Sequence, residues 1–396
     1  MFPVCLRTTI RRSFSTITAL ESASVYRTVR VSNIPEGYNV NTVVNTLKAN
    51  PVQAIIPFKD HMLVQFLDEG MARRCINHSN DTYKLSIDVP SPAFTSRDVS
   101  LLGTYNLSRT LVLKNLPADL DEPKLAEILS QREGIDAWRF YPSENSAVAH
   151  FLDIHSAFEA RTECQKAGMS ATFPHSGGDY LFPEWFPEEE DGQAFVETRV
   201  EISGIMNFPT LLVVRDWISK FERSSPACLI MTSFLQATKS ERRGDFCMLT
   251  IQFATKELAR KFVEDFSADA PYQNIQLSSR KIQDPLSRGM ITAVGLGAQR
   301  TVCLKLSNKG PDSRRKEEYF YFFCQFGAVS GSFRDERYHE CSKPLFIPFD
   351  SLQSALRCVL SVPQFKAAVL DHFPELKGAA ITFAGISHLT PSPVPG

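Results

Sequence analysis

No run of about eighteen apolar residues interrupts this 396-residue chain, so it carries no candidate membrane-spanning helix. Charge of one sign is also missing. Lys and Arg total 43 against 44 Asp and Glu, a formal charge of −1, which excludes a strongly basic coat and leaves only local patches for an anionic partner. Nine cysteines are present, but without a C-x-x-C pair or a nearby Cys/His grouping. Structural zinc is therefore not expected, and the cysteines read as small core residues in a reducing compartment. There is no glycine-rich phosphate loop after a strand, no H-x-x-x-H pair and no nucleophile elbow. The eight His are dispersed. No catalytic residue, cofactor or metal is expected, and the chain reads as a non-enzyme.

The first twenty residues lack any acid while carrying Arg7, Arg11, Arg12 and many Ser and Thr. That composition suggests a mitochondrial transit peptide over 1–20 and a matrix location. Arg12-Ser13-Phe14-Ser15 resembles a matrix-protease site, with the cut after Phe14. The alternative is a disordered N-terminus without an addressing role.

What is present is a loose internal repeat. Leu111-Val112-Leu113-Lys114-Asn115-Leu116-Pro117 is a short alternating run stopped by Pro, the pattern of a half-buried strand. Val29-Arg30-Val31-Ser32-Asn33-Ile34-Pro35 repeats it, with weaker echoes from Val200 and Val302. Spacings of 82, 89 and 102 residues are too long for a solenoid unit and suit a string of small domains. Some thirty to fifty residues after each run comes a second apolar segment ending in Phe, at Lys59–Phe66, Glu144–Phe151, Phe246–Phe253 and Ser342–Phe349.

These two phrases resemble the paired strand motifs of the RNA-recognition motif (RRM) family. The resemblance covers about residues 26–385. It implies an α+β fold of tandem ferredoxin-like βαββαβ domains, each an antiparallel four-stranded sheet backed by two helices. The domains are expected at 26–92, 109–175, 197–284 and 300–385. Residues 91–108 and 285–299 read as linkers, and 386–396 as a disordered tail. The segment 176–196 reads as a linker in which Tyr180, Phe182, Trp185 and Phe186 precede Glu188-Glu189-Glu190-Asp191. Its aromatics suggest packing on a neighbouring domain, with the repeat-two sheet as one candidate; the alternatives are a local aromatic staple beside a solvated acidic loop and a peptide motif for a partner. The repeat-two sheet, with Val112 and Val148 outward, is expected to be covered by this linker or by a protein partner rather than by RNA.

Proteins of this family hold single-stranded RNA by stacking bases on aromatic side chains of the open sheet face, while cations meet the phosphates. The resemblance puts the decisive positions at Arg30, His61 and Leu63; at Val112, Ser146 and Val148; at Glu201, Met248 and Thr250; and at Cys303, Pro344 and Phe346. Only Phe346 is aromatic, so the sequence supports the fold more than the usual stacking mode. Substitutes remain. Arg30 and His61, with Lys59 beside them, read either as a base-and-phosphate site or as a solvated sheet. Lys239, Arg242 and Arg243, with Phe246 on the outward parity, read either as a phosphate-contacting edge or as a solvated loop. Lys305 shares the outward face with Phe346. The expected function is binding of single-stranded organellar RNA for its processing, stability or translation. The rival is a protein-interaction scaffold among mitochondrial gene-expression proteins.

Overall fold

The computed structural model describes residues 25–47, 52–77, 82–91, 94–117, 120–130, 134–174, 196–205, 208–224, 229–236, 247–271, 274–282, 287–305, 316–329, 345–362, 365, 367–384 and 392–393. Repeat one contains β1 (Val25–Ser32), α1 (Val40–Thr46), β2 (Val52–Pro57), β3 (His61–Phe66), α2 (Glu69–Asn77) and β4 (Lys84–Ser91). A helix follows, α3 (Ser96–Tyr105). Repeat two contains β5 (Thr110–Lys114), α4 (Glu122–Ser130), β6 (Ile135–Tyr141), β7 (Ser146–Phe151), α5 (Ile154–Lys166) and β8 (Ser170–Thr172). Repeat three contains β9 (Val196–Ile205), α6 (Phe208–Ser224), β10 (Leu229–Gln236), β11 (Cys247–Phe253), α7 (Lys256–Ser267) and β12 (Gln276–Ile282). After α8 (Arg288–Gly295), repeat four contains β13 (Thr301–Lys305), α9 (Lys316–Cys324), β14 (Leu345–Pro348), α10 (Leu352–Ser361), α11 (Ala367–His372), β15 (Ala380–Phe383) and β16 (Ser392–Pro393).

The sheet orders are β2-β3-β1-β4, β6-β7-β5-β8, β10-β11-β9-β12 and β14-β13-β15-β16, all antiparallel. The first three place the first and third strands at the centre, as the split βαβ arrangement requires. In repeat four Val329 bridges Phe349, where Val52 meets Phe66 in repeat one; the following residues, 330–344, lie outside those described. The alternation seen in the sequence is the burial pattern. Val29, Val31, Met62, Val64 and Phe66 are buried toward the helices, which leaves Arg30, His61, Leu63 and Gln65 on the opposite face. The helices bury matching stripes, Met71, Ala72 and Cys75 in α2 and Ala259, Phe262 and Phe266 in α7.

An arginine, buried in repeats one and four and half-buried in repeat two, fastens three of the four sheets. It stands just before or within the first strand and donates to the carbonyl of the Phe associated with the end of the third. Arg27 Nη1 reaches Phe66 O at 2.6 Å, Arg109 Nη1 reaches Phe151 O at 2.9 Å, and Arg300 Nη1 reaches Phe349 O at 2.7 Å. Burial pushes the guanidinium pKa of Arg27 and of Arg109 down to about 10, so both remain charged at neutral pH. In repeat three Thr198 takes the equivalent place and accepts from Gln252 Nε2 at 2.6 Å.

Two expected linkers contain helices instead. α3 begins at a capping box: Thr95 Oγ1 accepts from the Asp98 amide at 3.1 Å and Asp98 accepts from the Thr95 amide at 3.0 Å. α8 begins at Ser287, whose hydroxyl accepts from the Met290 amide. Both helices form because these caps satisfy first-turn amides and the apolar residues that follow are buried. The repeats are accordingly more than beads on a string. α3 packs against α8 and α10, and a single buried apolar cluster runs through repeats one, two and four, while repeat three has its own. The tail also departs from expectation, since Ser392 and Pro393 pair with Ile381 and Ala380 of β15, where the edge of the sheet offers unpaired backbone groups. The aromatic excess of α9 has a packing reason: Tyr319 and Phe323 are buried, and Phe322 meets Phe365 and Phe373 at centroid distances of 5.2 and 5.1 Å.

Candidate nucleic-acid interface

Register fixes what stands together on the open face of repeat one. Arg30 lies opposite Leu63 on one side and Ser86 on the other, and Leu63 lies opposite Ile56. One row further on, Ser32 lies between His61 and Lys84. The β2–β3 hairpin closes with the Phe58 amide donating to His61 O at 2.8 Å. Above that bond the Phe58 and His61 rings stack in parallel, with centroids 4.5 Å apart and planes 5° from coplanar. Phe58 is 45 % exposed.

The structure thus brings Arg30, Lys59 and His61 to one end of one sheet face. Arg30 and His61 are diagonal neighbours, roughly 7–8 Å apart by sheet geometry. Lys59 is exposed in the hairpin loop. Asp60, in the same loop, lies 2.8 Å from His61 Nδ1, and this hydrogen bond, more than any other influence, holds its carboxyl below the usual carboxylate range. Arg30 Nε is buried and has no hydrogen-bond partner among the described residues, which leaves a costly unused donor on this face.

Repeat two presents a comparable set that its sequence did not advertise. Val112 and Val148 face one another at the centre, both half-buried, with Arg139 and Thr172 completing the row. The next row is Tyr141, Ser146, Lys114 and Ser170. Arg139 and Lys114 are exposed, and the Arg139 guanidinium sits 5.2 Å from the centroid of the Tyr141 ring, within cation–π range. His150, further along, bonds Thr110 Oγ1 at 3.0 Å; burial, then the charge of Arg109, lowers its pKa. Sequence reasoning passed over Lys114, Arg139 and Tyr141 because none occupies a motif position. The available signal was the alternation Arg139-Phe140-Tyr141, which puts Arg and Tyr on the same face of a strand.

The other predicted residues fall elsewhere. Lys305 is exposed at the end of β13, two residues beyond Cys303, and Phe346 is half-buried opposite Cys303. Cys303 and Thr382 on that face are buried, and Thr382 Oγ1 meets Ser96 Oγ of α3 at 2.9 Å. Repeat four therefore offers no fully exposed ring at its motif position. In repeat three the central row holds Glu201 opposite Thr250 and Ser278, and Thr250 is buried. Lys239, Arg242, Arg243 and Phe246 lie outside the described residues. Among the described residues no group of three or more His, Cys, Asp or Glu could hold a metal ion, and no helix is long and apolar enough to cross a membrane.

Repeats one and two meet at a backbone seam. The Ile55 amide of β2 donates to Leu152 O at 2.7 Å, and Ala54 bridges Asp153. Tyr38 OH lies 3.5 Å from Phe58 O. Burial raises the Tyr38 phenol pKa, and the charge of Asp136, in β6 of repeat two, adds to it.

No protein-family model matches the chain, and no curated protein matches it. Among solved structures it is similar to RNA recognition domains 1 and 2 of Sex-lethal from Drosophila melanogaster, at 16 % identity over 37 % of this chain and 99 % of that one, with a TM-score of 0.16. It is also similar to the N-terminal three RNA binding domains of the yeast splicing factor Prp24, at 13 % identity over 65 % of this chain and 100 % of that one, with a TM-score of 0.19. For the first two RRM domains of yeast Pub1 the values are 12 %, 37 %, 98 % and 0.15. The fold described above rests on strand order and register, not on these likenesses.

Proposed function

We propose that this chain is a non-enzymatic mitochondrial protein that binds single-stranded RNA and serves its processing, stability or translation. The observation that carries the proposal is the gathering of Arg30, His61 and Lys84 on the open face of repeat one, with Lys59 in the adjoining hairpin, beside the exposed Phe58 ring. An unstacked base finds a planar partner there, and its phosphates find cations. With a near-neutral chain, affinity comes from several modest sites on one chain acting together. The mitochondrial part rests on the acid-free, arginine-bearing first twenty residues.

The test is binding of the chain from residue 15 onward to organelle-derived single-stranded RNA across a salt series. Affinity is expected to fall with salt at a log–log slope of about −0.7 per phosphate neutralised. Changing Lys59 to Ala is expected to flatten that slope by about one contact. A folded sample that binds no RNA at low salt refutes the proposal. It would favour a second reading, a scaffold for mitochondrial gene-expression proteins. The 41 % exposure of Ile56 and 45 % exposure of Phe58 on the same face support that reading, since apolar side chains on an open sheet also suit a protein surface.

A further inference from the structure

We infer that Phe58 and Tyr141 are equivalent base-stacking platforms, placed at the hairpin end of the second strand of repeats one and two instead of on the central strands, and that one RNA strand uses both. This rests on the RNA-binding reading above and adds where, and in which repeats, the bases sit.

The equivalence follows from the arginine fastening. Arg27 marks Phe66 and Arg109 marks Phe151 as corresponding residues. Five residues back along the third strand stand His61 and Ser146. Their neighbours across the hairpin are Phe58, one residue past the end of β2 and joined through its amide bond to His61 O, and Tyr141, the last residue of β6 and directly opposite Ser146. The two aromatics thus occupy one structural position, on the face away from the helices. The same count in repeat three gives Met248 and, opposite it, Leu235. That repeat lacks the ring.

Each platform is backed and flanked in the way a stacking site needs. One face of Phe58 is held by the parallel His61 ring, and Arg139 covers part of Tyr141. A ring held in place loses little freedom when a base lands on its remaining surface. A lysine completes each row, Lys84 beside Ser32 in repeat one and Lys114 beside Ser146 in repeat two, available to phosphate. In repeat two the family's own stacking positions hold Val112, Ser146 and Val148, and among the described residues Tyr141 supplies the aromatic ring in these two rows.

The seam joins the two sheets that carry the platforms. Tyr38 touches the Phe58 backbone and feels the charge of Asp136. From Asp136 to Tyr141 is five residues of β6, about 17 Å at strand rise. That length, added to the span across the seam, sets the separation of the two rings, and two sites linked on one chain raise each other's effective concentration.

The test is fluorescence anisotropy of the full chain with a 15-nucleotide single-stranded RNA of mixed sequence. Phe58→Leu and Tyr141→Leu keep bulk and apolarity but remove the π face. Each is expected to weaken binding about 5- to 150-fold with unchanged circular dichroism. Phe58→Trp and Tyr141→Trp are expected to retain affinity, with the new indole emission quenched on RNA addition. Wild-type binding that is salt-sensitive but unaltered by both Leu variants overturns this inference and leaves the RNA-binding reading standing. Absence of salt-sensitive binding by the wild type overturns both.

Discussion

Gly289 sits where α8 crosses the C-terminal end of α3, and replacing it with Ala tests whether that crossing couples the repeats. Its amide donates to Asn106 Oδ1 at 2.5 Å. Asn106 itself ends α3 in a left-handed conformation, with φ 55°, and its amide reaches Leu102 O. A Cβ added at Gly289 would stand 2.4 Å from Leu102 O and 2.6 Å from the Asn106 Cα. Both are backbone atoms, so no side-chain rotation relieves the contact. The helices must part by several tenths of an ångström or more, which stretches the Asn106 bond as well. Overpacking costs about 1–3 kcal/mol, and a lost hydrogen bond about 0.5–1.5 kcal/mol. Against these, Ala improves helix propensity by about 0.8–1 kcal/mol. The net expectation is a loss of about 1–3 kcal/mol.

Urea denaturation followed by tryptophan emission and circular dichroism measures it. A multidomain chain need not unfold in one step, so the shape of the curve carries information besides its midpoint. Gly289→Ala is expected to lower the midpoint and to separate the transitions of the two halves. A variant as stable as the wild type, or more so, would mean that helix propensity outweighs the contact, and would refute the claim that α3 and α8 are locked together.

Glu222 makes a bidentate pair with Arg300, at 2.8 and 2.9 Å, joining α6 of repeat three to the start of repeat four; Glu222→Gln is expected to cost about 1–2 kcal/mol and to let repeat three melt earlier in calorimetry. The hydrogen bond that His155 Nε2 donates to Asp98 raises the His155 pKa, so this pair stabilises the fold fully below about pH 6.5 and loses that contribution as pH rises through the raised folded value. For Asp98 burial alone would raise the pKa, but hydrogen bonds with His155 and Thr95 outweigh it and hold the carboxyl low, so protection extends into acid. Melting temperatures across pH 5–9 are expected to fall less steeply on the alkaline side for His155→Gln than for the wild type, and an identical profile would exclude the linkage. Joint replacement of Arg242 and Arg243 by Ala is expected to lower RNA affinity; unchanged binding would remove these two residues from the proposed interface.

The sequence showed strands well because a strand's alternation is local. Val29-Arg30-Val31 and Leu111-Val112-Leu113 divide between core and open face as their spacing predicts. It showed the motif-position residues for the same reason, and Arg30 and His61 stand diagonally on one face. It hid α3 and α8 because their apolar residues are buried against other repeats, and no single-repeat pattern asks for them. Thr95-x-x-Asp98 was a legible start signal, but the helix it opens matters only once α8 and α10 are beside it. Tyr141 was missed for a related reason. Its correspondence with Phe58 is set by cross-strand register, and register depends on the partner strand.

The same register points to a division within the chain. Arg109-Thr110 and Arg300-Thr301 each open a strand after a capped helix, α3 and α8 respectively, and those two helices pack on one another. The chain therefore reads as two repeat–helix–repeat units joined through their connecting helices. In the first unit the open faces carry Arg30, Phe58, His61, Lys84, Lys114, Arg139 and Tyr141. In the second, Thr250, Cys303 and Thr382 are buried, and Thr382 is already hydrogen-bonded to α3. Burial of these positions removes them from direct contact with a strand laid on the sheet. On this argument the first unit offers the larger sheet surface for contact, while the second holds the helix that links repeats one and two in position.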